Sequence, residues 1–378
     1  MKITVLGFDL SNNATGRADL LARLLAPRYD VTVAGPRFGA GLWRPSQGGE
    51  VAHRALPAAR RYPGFARALP ALVAQADGDV LIASKPRTSS YGVGLLARAR
   101  RRRPLVLDID DWEVGFFRRS GWWGRLGRAL NVGNPSGLPW TWLMERLAGR
   151  ADAVIVASRF LERRFGGTLI PHVRDTEAWA PERYDRARMR AALGVDGDKV
   201  VMFLGTPRGH KGVDDLVAAM ATLPPGNLLA IVGADPDSAA ARRWSRLGFV
   251  RVTGEIAFED VPRYLVAADV VAVPQRDTPD TVGQVPAKLF DAMALARPIV
   301  STSVSMIPEI LDGCGVVVPP GDVAALAAAV RALLAAPEHA AELGRRARER
   351  CQARYSFASA RAELYPLVER VVSRGARP

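Results

Sequence analysis

The sequence predicts an α/β protein made of two doubly wound parallel-sheet domains in tandem. The chain has 378 residues, more than the ~100–200 residues that one hydrophobic core ordinarily serves. Short runs rich in Val and Ile alternate with helix-length amphipathic segments, as in parallel strands joined by crossover helices. The runs are apolar throughout, which is typical of strands buried on both faces of a sheet. Both halves of the chain carry this pattern, so each half predicts one domain.

The elements follow in order along the chain. In the first half, the apolar runs predict strands at 2–7, 31–34, 80–84, 105–108 and 153–157. The segments between them predict helices at 16–26, 64–75, 91–101 and 139–148. In the second half, strands are predicted at 199–205, 227–232, 269–273, 298–302 and 315–318, with helices at 213–221, 260–267, 286–295 and 323–335. Ligand crevices of such sheets lie outside the carboxyl ends of the strands.

The domain boundary is predicted in the polar, proline-containing stretch from His172 to Asp185. Residues 1–177 then form the first domain and residues 178–357 the second. A last helix at 358–378 follows the second domain and is predicted to pack back on the first.

The composition is that of a folded globular protein, with 48% hydrophobic and 24% charged residues and a mean hydropathy of +0.01. The formal net charge of +14 favours an anionic partner, which leaves nucleic acid, an anionic membrane and a phosphorylated substrate as classes. Nucleic acid ranks last, because no recognition motif accompanies the charge. The two cysteines have no metal-ligand spacing and indicate no disulfide framework.

The N-terminal segment has an apolar run broken by Asp9 and shows no basic leader, and no apolar stretch of 18 residues occurs anywhere. We therefore expect neither export nor a spanning helix, and a cytoplasmic location. One segment fits neither a simple helix nor a strand. Residues 116–142 contain four tryptophans among arginines, glycines and prolines, and basic residues also cluster at 98–103. The segment is either a surface loop or a lid that contacts the acceptor or the inner face of an anionic membrane.

The first candidate site follows the predicted strand at 199–205. It includes Gly205, Thr206, Arg208, His210 and Lys211 in a turn that leads into a helix. Backbone amides of a glycine-bearing turn can approach an anion, and Arg and Lys add charge-assisted hydrogen bonds to phosphate oxygens. The turn lacks the spacing of a Walker A loop. By itself it is read equally well as a plain basic turn.

The second candidate site runs from Asp280 into a helix that begins near Pro286. Proline suits the first helical turn, whose free amides and positive dipole end favour an anion. Asp291 lies more than one turn further on, where its carboxylate suits ribose hydroxyls better than phosphate. Taken alone, Asp291 is better explained as a solvated acid on a helix.

Two carboxylates in the first half are spaced as in a metal-binding DxD motif. Asp108 and Asp110 stand two residues apart on a predicted strand, point to the same face, and have the chemistry to bind Mg²⁺. Asp111 follows directly. The favoured interpretation gives Asp110 or Asp111 a role as sugar or acceptor ligand.

The second half resembles the donor-binding domain of the GT-B glycosyltransferases, in particular the large retaining family 4. The resemblance rests on four stretches over roughly 180 residues: GTPRGHKGVDDLVAAM (205–220), VTGEIAFEDVPRYLVAADVVAVP (252–274), GQVPAKLFDAMALARPIVST (283–302) and IPEILDGCGVVVPPGD (307–322). The first half agrees more weakly, through Gly16 after the first strand and the stretches ASRFLERRF and LIPHVRD. The resemblance implies two Rossmann-like domains facing a cleft, and transfer of a sugar from a nucleotide diphosphate sugar to an acceptor.

The resemblance also implies roles for single residues. Lys211 matches the family lysine that contacts the diphosphate, and Asp291 matches the second acid of the family motif that holds the ribose. Gly16 matches a glycine near the donor phosphates, and Glu255 with Ile256 matches the part that lines the base. The other residues expected at the donor are Gly205, Thr206, His210, Asp280, Gly283, Gln284, Val285, Pro286 and Lys288. The residues expected to act in catalysis are Asp110, Asp111, Arg208 and Lys211.

Three departures from the family pattern bear on these roles. The first acid of the family motif is replaced by Gly283, and Asp280 is the candidate to compensate. The family arginine after the glycine is Thr206 here, and Arg208 is the candidate replacement. Many relatives have a histidine after the fourth strand, where this chain has DIDDWE at 108–113.

The mechanism implied by the family is front-face transfer with retention, in which the leaving phosphate oxygen takes the acceptor proton. It depends on positioning and electrostatic stabilisation, and no metal or other cofactor is expected. The acceptor is expected to be lipid-linked or a polysaccharide. Two alternatives stay open: a GT-B sugar-nucleotide epimerase, and a catalytically degenerate protein that only binds nucleotide sugars.

Overall fold

The structure, a computed structural model, describes residues 1–117, 127–128, 130–195 and 197–375. The chain divides into two compact units. The first comprises Met1–Pro171, Val282–Gln284 and the described residues from Ala360 onward, and the second comprises His172–Thr281 and Val285–Ser359. The predicted boundary, after residue 177, lies a few residues beyond the division after Pro171 in the structure. The short segment 282–284 was predicted in the second domain but belongs to the first unit. Of the tryptophan-rich segment, Trp122 and Trp123 lie outside the described residues, as do positions 376–378 of the predicted last helix.

The first unit is built on a seven-stranded parallel sheet. Its strands are β1 Lys2–Leu6, β2 Asp30–Arg37, β3 Ala52–Pro57, β4 Val80–Ser84, β5 Leu105–Ile109, β6 Ala153–Val156 and β7 Thr168–Leu169. Their order across the sheet is β3-β2-β1-β4-β5-β6-β7, so the order reverses between β1 and β4. The helices are α1 Thr15–Leu25, α2 Gly64–Gln75, α3 Val93–Arg100, α4 Leu138–Arg146 and α5 Arg159–Phe165.

The second unit is built on a six-stranded parallel sheet. Its strands are β8 Lys199–Leu204, β9 Asn227–Val232, β10 Val250–Thr253, β11 Val270–Val273, β12 Ile299–Thr302 and β13 Val316–Val318. They lie in the order β10-β9-β8-β11-β12-β13, which reverses between β8 and β11. The helices are α6 Arg186–Leu193, α7 Val213–Met220, α8 Ala239–Ser245, α9 Val261–Ala267, α10 Ala287–Ala294, α11 Ile307–Leu311, α12 Val323–Ala335 and α13 Pro337–Arg354.

The predicted fold class, two Rossmann-like parallel-sheet domains, is confirmed by both sheets. Strands β1, β4 and β5 are buried almost throughout, as apolar runs in a sheet covered on both faces should be. Strand β3 was not predicted, because its sequence AHRALP mixes polar and apolar residues at the sheet edge. Its place there is fixed by pairing along β2 rather than by its own hydrophobicity.

The last helix, α14 Phe357–Gly375, runs into the first unit. The Arg361 Nε and the Tyr365 hydroxyl both donate to the Leu24 carbonyl, at 3.1 Å each. The Arg28 guanidinium pairs with the Glu369 carboxylate at 2.6 Å. The first two contacts satisfy the Leu24 carbonyl at the carboxyl end of α1, where a helix leaves its last acceptors free. The third is an ion pair between side chains.

Within the described residues, no single helix is both long and apolar enough to cross a membrane. The pair α12 and α13 meets the length and composition requirement only when taken together, and the two helices are bent by 102° at their junction.

Both sheets create the same kind of crevice. In a parallel sheet, the loops that follow two strands flanking a reversal of order leave in opposite directions and open a gap between them. In the first unit this gap lies after β1 and β4, and in the second unit after β8 and β11. The residues that carry chemistry gather at these two places.

Candidate functional site

The turn after β8 forms one side of the crevice in the second unit. Gly212 closes the turn with φ of +64°, and a Cβ added there would lie 1.8 Å from the Pro274 carbonyl oxygen, just after β11. Only glycine fits this close approach of two loops. Within the turn, the Lys211 ammonium donates to the Thr206 carbonyl at 2.9 Å, and Thr206 and Arg208 are exposed. The turn therefore presents two cations at the carboxyl end of the central strand.

Lys288 points into this turn from the first turn of α10. Its Nζ would lie 2.9 Å from a Cβ on Gly205, which has φ of +117°. It also lies 3.8 Å from the centre of the Phe203 ring. The Nζ atom is buried and has no hydrogen-bond partner among the described residues, although part of the side chain is accessible.

This environment disfavours the charged form of Lys288. Burial lowers the pKa of its amine well below the usual range, repulsion by Lys211 lowers it further, and attraction by Asp291 offsets only part of the effect. A buried amine that lacks a partner is costly unless something anionic neutralises it. The arrangement is suited to a phosphate group, next to the free amides that begin α10.

Asp291 is not open to a ligand in this structure. Its buried carboxylate accepts a short hydrogen bond from the Arg174 Nε, and the Arg174 guanidinium also donates to the Val173 carbonyl at 2.7 Å. Burial raises the pKa of Asp291, against the opposing effect of Arg174 and Lys288. A role in holding ribose stays a prediction, and it requires Asp291 to share its carboxylate with Arg174.

Four more of the residues predicted at the donor lie around the same sheet edge, whereas Gly16, Gly283 and Gln284 belong to the first unit. His210 and Asp280 are both buried, with the His210 Nδ1 3.3 Å from an Asp280 oxygen. The Asp280 carboxylate also accepts from the Thr278 hydroxyl at 2.7 Å, so it is held in place rather than exposed. Glu255 and Ile256 follow β10 at the same carboxyl edge. The structure brings these groups to one edge of the sheet, and Val285 and Pro286 lead from there into α10.

In the first unit, the crevice after β4 holds a lysine that the sequence did not single out. Lys85 is buried and has φ of +72°, a conformation that non-glycine residues rarely adopt. Its ammonium lies 2.6 Å from Asp110, 3.0 Å from Asp111 and 3.1 Å from Glu113. Strained backbone of this kind persists where surrounding contacts fix it, and it concentrates at functional sites.

Asp110 has an unusually high pKa for a carboxylic acid. Burial raises the pKa of Asp110 to about 7; Lys85 opposes this shift, whereas Asp111 and Asp108 add to it. Burial alone would lower the pKa of Lys85, but the three carboxylates outweigh it and raise that pKa well above the usual range. Burial and the neighbouring acids thus favour the neutral form of Asp110, while Lys85 favours its ionised form.

Asp108 and Asp110, whose spacing matches a DxD motif although no metal was predicted there, have different partners in the structure. Asp108 is bound by Arg17 on α1, whose Nη2 lies 2.8 Å from the carboxylate. The three acids whose oxygens approach within 4.8 Å of one another are Asp110, Asp111 and Glu113, a set that by type could hold a cation. The Lys85 ammonium contacts all three.

Gly283 lies at a tightly packed position, where the resemblance implies an acid. A Cβ at this position would lie 3.1 Å from the Phe160 ring and 3.2 Å from the Trp112 side chain. The Gly283 carbonyl accepts from the Ser158 hydroxyl at 2.8 Å, and the next residue, Gln284, donates to Asp111 at 3.1 Å. The segment 282–284 is therefore held within the first unit. Gly16, in contrast, lies at the start of α1, where an added Cβ would approach only the Trp43 ring.

Two family models match this chain. One, described as glycosyl transferases group 1, matches residues 198–336, and the other, a glycosyl transferase 4-like domain, matches residues 14–176. Together they cover the whole second sheet and every strand of the first sheet except β1. The chain belongs to the group 1, family 4 glycosyltransferases of the GT-B fold. The resemblance noted in the sequence is confirmed.

Individual relatives agree with this family. The chain is 32% identical over 271 residues to a GDP-mannose-dependent alpha-(1-6)-phosphatidylinositol monomannoside mannosyltransferase of Mycolicibacterium smegmatis, covering 67% of this chain and 66% of that protein. It is 28% identical over 282 residues to a glycogen synthase of Mycobacterium tuberculosis, covering 71% of this chain and 64% of that protein. These matches span slightly less than two thirds of each relative's own length.

Solved structures show the same fold. A sucrose-phosphate synthase from Thermosynechococcus elongatus superposes with a TM-score of 0.76 at 22% identity, covering 99% of this chain and all of that one. Anabaena HepE in complex with UDP and glucose gives a TM-score of 0.75 at 18% identity, covering 97% of this chain and 99% of that one. At such identities the likeness concerns the fold of these family members and not their substrates.

We expect Lys288→Met to stabilise the protein near neutral pH by about 1–3 kcal/mol, because it removes a buried polar atom that has no partner. The unfolded lysine keeps its proton up to about pH 10.4, whereas the folded one loses it earlier. The unfolded state therefore binds more protons in this window, and the stability of the unmodified protein rises with pH.

The stability advantage of Lys288→Met should therefore shrink as the pH rises. Chemical denaturation at neutral and alkaline pH measures this, with Lys199→Met at the exposed start of β8 as the control. Equal destabilisation at every pH would contradict it.

The raised pKa of Asp110 predicts a pH-dependent stability of opposite sign. The folded protein keeps the Asp110 proton up to about pH 7, whereas the unfolded chain loses it near pH 4. The folded state binds more protons in this window, so this contribution to stability is lost as the pH rises from about 4 to about 7. Asp110→Asn should remove that slope. Asp30→Asn, at an exposed carboxylate of the same unit, should leave the slope as it is. Denaturation curves across this pH range decide the matter, and a slope that survives in Asp110→Asn would refute the assignment.

Introducing an acid at position 283, as the family resemblance implies, should lower the stability of the protein. Gly283→Glu has to displace Phe160 and Trp112, and overpacking of this kind costs about 1–3 kcal/mol. The matched control is Gly248→Glu, at a glycine with open space around its Cβ position. The midpoint of chemical denaturation measures both variants. A Gly283→Glu protein as stable as the control would show that the local packing is not what excludes the acid.

Proposed function

We propose that this protein is a retaining glycosyltransferase, which moves a sugar from a nucleotide diphosphate sugar to an acceptor hydroxyl. The observation that carries the proposal is the buried, unpartnered Lys288 amine aimed at Gly205, beside Lys211 and the first turn of α10. A diphosphate supplies the negative charge that this group of cations lacks. Family membership supports the same ligand class.

The turn after β8 and the first turn of α10 contribute different groups to donor binding. Lys211 and Lys288 bind the phosphates and neutralise the charge that develops on the leaving diphosphate. Arg208, at the exposed edge of the turn, adds a third cation when the loop closes on ligand. The buried contact between His210 and Asp280 fixes the turn in place. Glu255 and Ile256, after the edge strand β10, are the residues proposed to line the base.

Retention follows from front-face chemistry. The bond between the anomeric carbon and the phosphate oxygen breaks, and the acceptor oxygen bonds to the same face of that carbon. The acceptor proton passes to the departing phosphate oxygen, so no strong side-chain base is needed. Catalysis then rests on positioning and on the cations that stabilise the diphosphate. Asp110 and Asp111 are the proposed sugar or acceptor ligands, held in place by Lys85 and Gln284.

We propose that no metal takes part. The cations of the second unit neutralise the leaving group. Among the described residues, the acidic group that suits a metal by type is Asp110, Asp111 and Glu113, and it already surrounds the Lys85 ammonium. The proposed acceptor is lipid-linked or a polysaccharide, in keeping with a relative named for a phosphatidylinositol mannoside and another named glycogen synthase. We place the activity in the cytoplasm, which suits two cysteines that are both buried and free.

The first test is donor binding. Nucleoside diphosphates of each base and their sugar conjugates are screened by thermal shift, with GDP-mannose and UDP-glucose included because relatives are named with these donors. A ligand at ~100 times its Kd should stabilise the protein by about 2.7 kcal/mol. The shift should be lost in Lys288→Met and kept in Lys199→Met, which removes a lysine at the opposite end of β8.

The second test is transfer with the donor so identified. Lys211→Ala should lower the rate by about 10²–10³, as the loss of one donor to a developing oxyanion does. The anomeric configuration of the first-formed product, read by NMR, should match that of the donor. Inversion would refute retention. Release of an altered nucleotide sugar without any acceptor would indicate an epimerase, and tight binding without turnover would indicate a protein that only binds its ligand.

A further inference from the structure

Exposed apolar side chains are concentrated in one part of the first unit. Among the described residues, the large hydrophobic side chains that remain exposed are Met1, Leu96, Leu130, Val132, Trp142 and Leu143. Apart from the terminal methionine, all belong to α3, α4 and the loop just before α4. Leu130 is 70% exposed and Val132 59%, which is unusual for side chains that gain so much from burial. Single exposed apolar residues need no explanation, whereas a group of them does.

Hydrogen bonds join these three segments into one surface. The Trp140 indole donates to the Val132 carbonyl at 2.8 Å, which fixes the loop against the start of α4. The Tyr91 hydroxyl donates to the Leu147 carbonyl at 2.7 Å, and Arg98 donates to the Arg150 carbonyl at 2.7 Å. These last two bonds hold α3 beside the end of α4. We call the exposed residues of this surface the α3–α4 face, which consists of Leu96, Leu130, Val132, Trp142, Leu143, Arg100, Arg101, Arg102 and Arg146.

The charge on this face has one sign. Residues 80–107 contain seven basic side chains and no acid, and residues 114–144 contain four basic side chains and no acid. The acids that lie between and after these stretches are buried or paired: Asp108 pairs with Arg17, Asp110 and Asp111 with Lys85, Glu113 with Lys85 and Arg87, Asp152 with Arg98 at 3.2 Å, and Glu145 is buried. The arginines of the face itself are exposed. The described residues of the face therefore present positive charge.

An aromatic side chain and a cation are paired at the centre of the face. The Arg146 guanidinium lies 4.7 Å from the centre of the Trp142 ring, one helical turn away on α4. Trp142 is 49% exposed, and Leu143 follows it. An indole with a neighbouring guanidinium suits the boundary between lipid headgroups and acyl chains, because the ring is amphipathic and the cation meets phosphate.

We propose that the α3–α4 face docks on the surface of a bilayer that contains anionic lipids. Arginines alone would suit nucleic acid as well. Leu96, Leu130 and Val132, however, can form neither hydrogen bonds nor ion pairs with a phosphate backbone. Aliphatic side chains beside arginines match a bilayer surface, where apolar groups enter the acyl boundary while cations meet the headgroups. The inference concerns the first unit alone and does not depend on the donor or on the reaction.

The proposal is tested by flotation of the full chain with vesicles, in the absence of any nucleotide. The protein should bind vesicles that contain phosphatidylglycerol, should not bind pure phosphatidylcholine vesicles, and should be released as salt rises. Arg101→Gln and Arg102→Gln should each weaken the partition coefficient by about fivefold. The double variant Trp142→Gln/Leu143→Gln should weaken it by about tenfold.

The control variant is Arg242→Gln/Arg246→Gln, which removes two exposed arginines from the second unit. It should bind vesicles as the unmodified protein does, and thermal unfolding should confirm that every variant is folded. Equal binding to neutral vesicles, an equal loss in the control, or full binding by the face variants would each overturn the proposal. So would random duplex DNA that binds through these residues while vesicles do not. A failed donor screen would leave the vesicle result standing, because the two assays share no ligand.

Discussion

A charge buried inside a protein must be matched by an opposite charge, and this constraint organises both crevices. In the first unit the match is complete within the chain: Lys85 is surrounded by Asp110, Asp111 and Glu113, and Arg17 is held by Asp108. In the second unit it is incomplete, because the Lys288 amine is buried next to Lys211 with only Asp291 to offset the repulsion. A protein that leaves one such group unmatched has reason to bind an anion there. The buried cation of the first crevice is thus paired within the chain, whereas the buried amine of the second is available to an anionic ligand.

The family pattern and its exceptions follow from packing as well as from charge. Relatives carry an acid where this chain has Gly283, and the loss reads as a defect when only the sequence is considered. In the structure the position is pressed against Phe160 and Trp112, and its carbonyl is bound by Ser158. Gln284, the next residue, reaches Asp111. The glycine at this position is thus part of a packed and hydrogen-bonded segment that contacts a carboxylate group of the first unit.

The fold was predictable because parallel strands buried on both faces need apolar residues at every position. Strands β4 and β8 show this plainly. The glycines and cations of the turn after β8 left two interpretations open, an anion site and a plain basic turn. Edge strand β3 escaped prediction because pairing with β2, rather than its own composition, places it in the sheet. Lys85 escaped because its partners lie about 25 residues away and meet it only through sheet order. Its one local signal was a lysine directly after an apolar run.

Arg17 has a consequence for how such proteins can be recombined. Besides holding Asp108, its guanidinium donates to the carbonyls of Ile170 at 2.8 Å and Pro171 at 3.0 Å, the last residues before the second unit begins. The point at which the chain leaves the first unit is therefore anchored from α1 at the middle of the sheet. Exchange of modules between family members has to respect this anchor. A junction placed before Ile170 would separate the two anchored carbonyl groups from Arg17, whereas one placed after Pro171 would keep them together. The first unit also needs its two later segments, Val282–Gln284 and the residues from Ala360 onward, so these have to come from the same parent.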